Sequence, residues 1–307
     1  DYTIHTTSIV LAFTENRCRK LHPVEEEAEF MVECVRVRHL KKNVIYSKTL
    51  LLAIIFYSLL PVMSATCEEG VVSAGKLSGT VALGREISLK TSRHSLSKQY
   101  DGNALNCSSC HLNNGMDLKT LTYIGVAAAY PAYSPREKAV ITLADRIADC
   151  FMRSMNGIRP PADSVMVVAI ASYITWLSEG TVIKMNPVAP LGPNTMKLLS
   201  VNPRSANMEN GRKVYESQCS SCHGENGQGV KAIQLPGASP GGCPPLWGAR
   251  SYNKGAGMYN LQTAASFIKS SMPYAAANLS EQDAIDVAAY INSKERPDFE
   301  AKTQSKK

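Results

Sequence analysis

The chain has 307 residues, enough for two ordinary domains. Its 44% apolar and 19% charged residues are the composition of a globular protein, which excludes extensive disorder. A net charge of +7, without any basic–aromatic stripe, suits an anionic substrate or an acidic partner and gives no support to nucleic acid as a ligand.

In chain order, residues 1–43 form an N-terminal extension to which no function is attached. A basic stretch from Lys41 to Lys48 then runs into an apolar core from Thr49 to Val62. That core is short of the roughly 20 residues a membrane span requires. With small residues at Ser64 and Ala65, the stretch 44–65 has the pattern of a secretory signal, an uncleaved anchor being the alternative. The remainder is expected to be exported to the periplasm without stable membrane insertion.

Beyond the signal the sequence repeats itself. Cys107-Ser108-Ser109-Cys110-His111 returns as Cys219-Ser220-Ser221-Cys222-His223. Gly84-Arg85-Glu86-Ile87 precedes the first copy and Gly211-Arg212-Lys213-Val214 the second, each read as the start of a short helix. Downstream, Val167, Ile170, Ala171 and Ile174 match Ala284, Val287, Ala288 and Ile291, all at one offset of 117 residues. Both sets are spaced i, i+3, i+4, i+7, one apolar face of a helix. Asp163 and Ser280 are the N-cap candidates for these closing helices. Strand patterns are scarce. Asn186-Pro187-Val188-Ala189-Pro190-Leu191-Gly192-Pro193 reads as a linker. The expected domains are therefore 66–185 and 200–303, with 186–199 joining them.

Cys-x-x-Cys-His is a c-type haem attachment signature. The two thiols add across porphyrin vinyl groups, and the adjoining His reaches the iron. Cys107, Cys110, Cys219 and Cys222 are thus the expected attachment points for two haem c groups. His111 and His223 are the expected proximal ligands. The fold class that follows is mainly α, two class I cytochrome c-like domains in tandem joined by a proline-rich linker.

The sixth ligands decide what each haem does. In the second half Met272, followed by Pro273, is the first choice and Met258 the second; methionine sulfur opposite His raises the potential and favours electron transfer. In the first half, the repeat places Met155 at the position of Met272. Cys150 lies five residues earlier, and a lone Cys is most often an inert small hydrophobe. The residues alone leave both open.

The stretch from Tyr130 to Gly180 resembles the diheme thiosulfate dehydrogenases, which form tetrathionate in the periplasm. The resemblance rests on Tyr130-Pro131-Ala132-Tyr133-Ser134-Pro135-Arg136 and on Arg146-Ile147-Ala148-Asp149-Cys150-Phe151-Met152-Arg153-Ser154-Met155-Asn156-Gly157. In the second half Pro244-Pro245-Leu246-Trp247-Gly248 and Arg296-Pro297-Asp298-Phe299 agree with it. The resemblance implies that Cys150 is the axial ligand of a catalytic haem and that Met155 packs beside it. It also implies a substrate site lined by Arg136, Arg146 and Ser154, and a small soluble redox protein as electron acceptor. Some relatives carry a Lys just before the methionine matching Met272; Ser271 stands there in this chain, so no ligand exchange by that Lys is expected. A non-enzymatic electron carrier and a haem subunit of a sulfur-oxidising complex are the competing readings. Cys67 and Cys243 carry no assigned role.

Overall fold

The computed structural model describes residues 76–231 and 242–300, so the expected extension and signal, residues 1–65, lie outside the described residues. Gly70–Lys307 make one compact unit. Its first half opens with α1 (Lys76–Leu89), followed by a 3₁₀ turn at Cys107–Ser109. A two-stranded antiparallel hairpin comes next, β1 (Ala132–Ser134) with β2 (Ala139–Ile141), Ala132 opposite Ile141. Helices α2 (Leu143–Arg153) and α3 (Val165–Leu177) complete this half. The second half begins with α4 (Met208–Val214), which continues through a π turn at Tyr215–Cys219 into α5 (Ser220–His223). It ends with α6 (Leu261–Ser271) and α7 (Glu281–Asn292). Among the described residues, no helix is long and apolar enough to cross a membrane.

The two halves use one packing device. In the first, α1 crosses α3, whose Val167, Ile170 and Ile174 are buried as the periodicity predicts. In the second, α4 and α6 pack on α7 through Ala284, Val287 and Ile291. Burying each large aliphatic side chain contributes about 1.5–3 kcal/mol. The two glycines do not start helices as expected; both lie inside them. A Cβ on Gly84 would stand 2.0 Å from the Ala169 carbonyl oxygen, and one on Gly211 would stand 2.1 Å from that of Asp286. Ala169 and Asp286 are themselves related by the 117-residue offset. Glycine is therefore needed at the crossing point, where the backbones approach too closely for any side chain.

Caps follow local chemistry. Ser280 caps α7, its side chain accepting from the Asp283 N–H. For α3 the cap is Ser164 rather than Asp163: Ser164 accepts from the Val167 N–H and has the extended backbone a cap requires. The proline-rich segment has no helix or strand, yet it is strapped to the first half. Lys184 and Asn186 N–H groups donate to the Ala128 and Ala129 carbonyls, and Asn194 Nδ2 donates to Ile124 O at 3.0 Å. Met196 then buries with Leu112 and Phe267.

Candidate active site and haem sites

In the first half, helix α2 carries most of the candidate residues. Thr142 starts it with a capping box, accepting from the Asp145 N–H while the Asp145 carboxylate accepts from that of Thr142. Arg159 holds one side of the helix, donating to Asp145 and Asp149. Arg146, Cys150 and Arg153 follow at i, i+4 and i+7, one face of α2. Arg136 comes from the loop of the β1–β2 hairpin, which sets it beside this face.

The electrostatics place these groups together. The Cys150 sulfur is the largest influence on Arg146, raising the proton affinity of its guanidinium against the opposing effect of burial. Partial burial, then Arg146 and Arg153, lower that of Arg136, while Cys150 opposes them. Arg146 and Arg153 both act on Arg136, and Cys150 acts on Arg136 and Arg146. Glu137 supplies one carboxylate, bonded to Arg153 at 2.8 Å. Arg153 also lies over the Phe299 ring, 4.0 Å from its centroid. Tyr130 is buried and its phenol is pushed up to about 12 by that burial, with Arg146 opposing and Cys150 adding to the rise.

Cys150 is half-buried and adds to the pKa of both motif thiols. Cys107 is pushed up to about 11 by burial, and Cys110 to about 12 by burial and then Cys107. Thr91 Oγ1 donates to Cys107 Sγ at 3.3 Å. The His111 ring is stacked on Tyr123, centroids 4.3 Å apart, and its Nδ1 meets the Leu121 carbonyl at 2.5 Å. A carbonyl only accepts, so Nδ1 carries the proton and Nε2 keeps its lone pair. Burial lowers the His111 pKa to about 4, which keeps the ring neutral and able to ligate. Met155, by contrast, is buried in the core with Ile147, Phe151, Tyr252 and Ala256. Ser154 is the C-cap of α2, its N–H donating to the Cys150 carbonyl.

The second half holds a cavity of about 1220 Å³, counting the part open to solvent. Cys219, Cys222, His223, Met258 and Met272 all line it, with apolar side chains around them. His223 repeats the pattern of His111: its Nδ1 donates to the Pro244 carbonyl at 2.8 Å, and burial lowers its pKa. Cys243 has a free thiol next to Cys222 and lines the same cavity. The wall nearest the first half is made by Leu105, Ser108, Ser109, Cys110 and Tyr252, so the first motif borders the second cavity.

Both halves of the chain are similar to known proteins. The family described as "SoxA/TsdA, cytochrome c domain" matches residues 94–183, and the family "Cytochrome c" matches 208–295. The thiosulfate dehydrogenase of Stutzerimonas stutzeri (strain A1501) is 39% identical over 237 residues, 75% of this chain and 72% of that protein. The chain belongs to the thiosulfate dehydrogenase family. A second member, from Allochromatium vinosum, is 37% identical over 66% of this chain and 73% of its own length. Among solved structures, the thiosulfate dehydrogenase TsdBA of Marichromatium purpuratum in its "as isolated" form superposes with a TM-score of 0.66 at 34% identity. It covers 75% of this chain, and this chain spans 48% of it.

As a member of this family, the protein carries two covalently bound haem c groups. The residues fit them. Each half offers two unpaired motif thiols and a neutral imidazole whose Nδ1 is already bonded, and the second adds a cavity of suitable lining. The family resemblance had pointed to Arg136, Arg146, Cys150 and Ser154; the fold sets the first three near one another and places Ser154 at the end of the same helix. Glu137, Arg153 and Tyr130 were missed. For Arg153 the signal was present, since it continues the i, i+4, i+7 series of Arg146 and Cys150.

Proposed function

We propose that the protein is a periplasmic thiosulfate dehydrogenase, joining two thiosulfate dianions into tetrathionate and passing two electrons to a small soluble redox protein. In this reading 66–185 is the catalytic domain, 186–199 the linker and 200–303 the electron-transfer domain. The haem of the first domain is attached through Cys107 and Cys110 and held by His111 and Cys150. That of the second is attached through Cys219 and Cys222 and held by His223 and Met272. The haems supply two one-electron acceptors, matching the two electrons released when one sulfur–sulfur bond forms.

The chain's own task is to bring like charges together. Two unit charges 4 Å apart repel by about 4 kcal/mol at an effective dielectric of 20. Arg136 and Arg146 offset this, each guanidinium forking onto paired oxyanion oxygens. Ser154 adds a hydroxyl donor on the same helix. Glu137 draws Arg153 toward itself, which leaves Arg136 and Arg146 as the cations presented to substrate. As a thiolate ligand Cys150 would donate electron density, which would lower the potential of the first site relative to a methionine-held one.

The observation that supports this reading is the proximity of Cys150 to Cys107 and Cys110 and of Arg146 to His111, with Arg136 near Cys150. The test is Cys150→Gly in the haem-loaded protein, assayed with thiosulfate and, in reverse, with tetrathionate and a reduced dye. Turnover is expected to vanish in both directions while both haems stay attached. Near-normal turnover removes Cys150 from the reaction.

A further inference from the structure

Helix α2 ends where a helix always has a problem: its last four carbonyls have no partner within the helix. Here two are met locally. Ser154 and Met155 N–H groups donate to Cys150 O, and the Gly157 N–H donates to Phe151 O at 2.8 Å. The other two, on Met152 and Arg153, are met by a single residue from the second half of the chain, Asn253. Its Nδ2 donates to Met152 O at 2.8 Å and its backbone N–H to Arg153 O at 3.3 Å. The second Nδ2 hydrogen goes to Asn156 Oδ1 at 3.2 Å, and Asn253 Oδ1 accepts from the Gly255 N–H at 2.9 Å. Every polar group of this side chain is used, and the residue is 1% exposed.

A second asparagine extends the junction from the other side. Asn103 Nδ2 donates to Ser154 O at 2.8 Å and to Ser251 O at 3.1 Å, and the Gly102 N–H donates to Met155 O at 2.9 Å. Between Ser251 and Asn253 stands Tyr252, which walls the second cavity and donates to Asn292 Oδ1 at 3.1 Å. The segment 251–253 is therefore fixed at the second cavity while it grips the end of the helix that carries Cys150.

We infer that Asn253 is a positioning residue for Cys150: by donating to the carbonyls that close α2, it holds the helix in the register that keeps the Cys150 sulfur at the first site. This rests on the proposed role of Cys150 as ligand. Toward Met152 O only a donor serves; a carboxylate of the same shape would set an acceptor against that carbonyl.

The test uses the haem-loaded Asn253→Asp and Asn253→Ala proteins, with Lys254→Gln as the control for a neighbouring exposed side chain. Electron spin resonance of the oxidised proteins reads the share of thiolate-ligated haem, and steady-state kinetics separate kcat from KM. The wild type and Lys254→Gln should show the full thiolate-ligated share. Both Asn253 variants should lose part of it, with kcat falling about tenfold, the effect of one unsatisfied buried carbonyl of ordinary cost. KM and the His/Met signature of the second haem should stay within about twofold of wild type, since neither substrate nor second iron touches Asn253. If Asn253→Asp keeps the wild-type signature and kcat, the inference is overturned while Cys150 remains a ligand. If the wild type itself lacks a thiolate signature, the ligand assignment falls and this inference with it. Should Asn253→Asp not fold, Asn253→Ala decides alone, and an unchanged signature and kcat there overturn the inference equally.

Discussion

Replacing Gly84 and Gly79 by alanine, two changes of identical chemistry in one helix, should move stability in opposite directions. A Cβ on Gly84 would lie 2.0 Å from Ala169 O and 2.5 Å from Ala169 C, both backbone atoms that no rotamer can move aside. Ordinary contact begins at 3.4 Å. Helices α1 and α3 would have to part by roughly 1.4 Å, the difference between the two distances, in an interior that resists such deformation. Overpacking costs about 1–3 kcal/mol, and a backbone-to-backbone clash belongs at the upper end. Alanine recovers about 1 kcal/mol of helix propensity, leaving a net loss of about 2 kcal/mol. For a compact unit of this size that lowers the melting temperature by roughly 4–8 °C. Gly79 meets nothing within 4 Å, so Gly79→Ala keeps only the propensity gain, worth up to about 1 kcal/mol or a rise of a few degrees. Thermal unfolding of the haem-loaded proteins by far-ultraviolet circular dichroism compares them directly. A Gly84→Ala protein as stable as Gly79→Ala would refute the assignment of Gly84 as the crossing point.

Burial pushes the Asp101 carboxyl up to about 7, whereas an aspartate in an unfolded chain titrates near 3.9. Between those values the folded state keeps a proton the unfolded state has lost, so the contribution is complete below about pH 4 and fades as pH rises through about 7. Asp101→Asn should therefore melt with the wild type at about pH 4 and above it at about pH 8; equal melting at both would refute the shift. Met272 and Met258 line the same cavity, and ligation separates them. Met272→Ala should abolish the methionine–iron charge-transfer band and lower the potential of the second haem, while Met258→Ala leaves both in place; the reverse pattern would make Met258 the ligand.

Chemistry written in adjacent residues was legible in the sequence. Cys107-Ser108-Ser109-Cys110-His111 and its second copy act through local spacing, and the closing helices betray themselves by periodicity. Contacts across long separations were not legible. Nothing near Asn253 in sequence announces that it caps a helix ending a hundred residues earlier, because each partner is an ordinary backbone carbonyl. Gly84 and Gly211 were visible as a repeat, but glycine punctuates turns as readily as crossings, and only the approach of Ala169 and Asp286 separates the two. Asp163 and Ser164 are equally good caps by type; the backbone turns into the helix one residue later than the first of them. The hairpin that delivers Arg136 has strands of three residues, too short for alternation to register. Arg153 shares its face of α2 with Arg146 and Cys150, yet its partners, Glu137 and Phe299, come from a loop and from the far end of the chain.

Electron spin resonance of the oxidised, haem-loaded wild type tests the role of Cys150 most directly. The expected spectrum contains two low-spin species, one thiolate-ligated and one with His/Met ligation, and the first alone is lost in Cys150→Gly. Two His/Met species, with the front one abolished by Met155→Ala instead, would contradict it and leave an electron carrier without a catalytic iron.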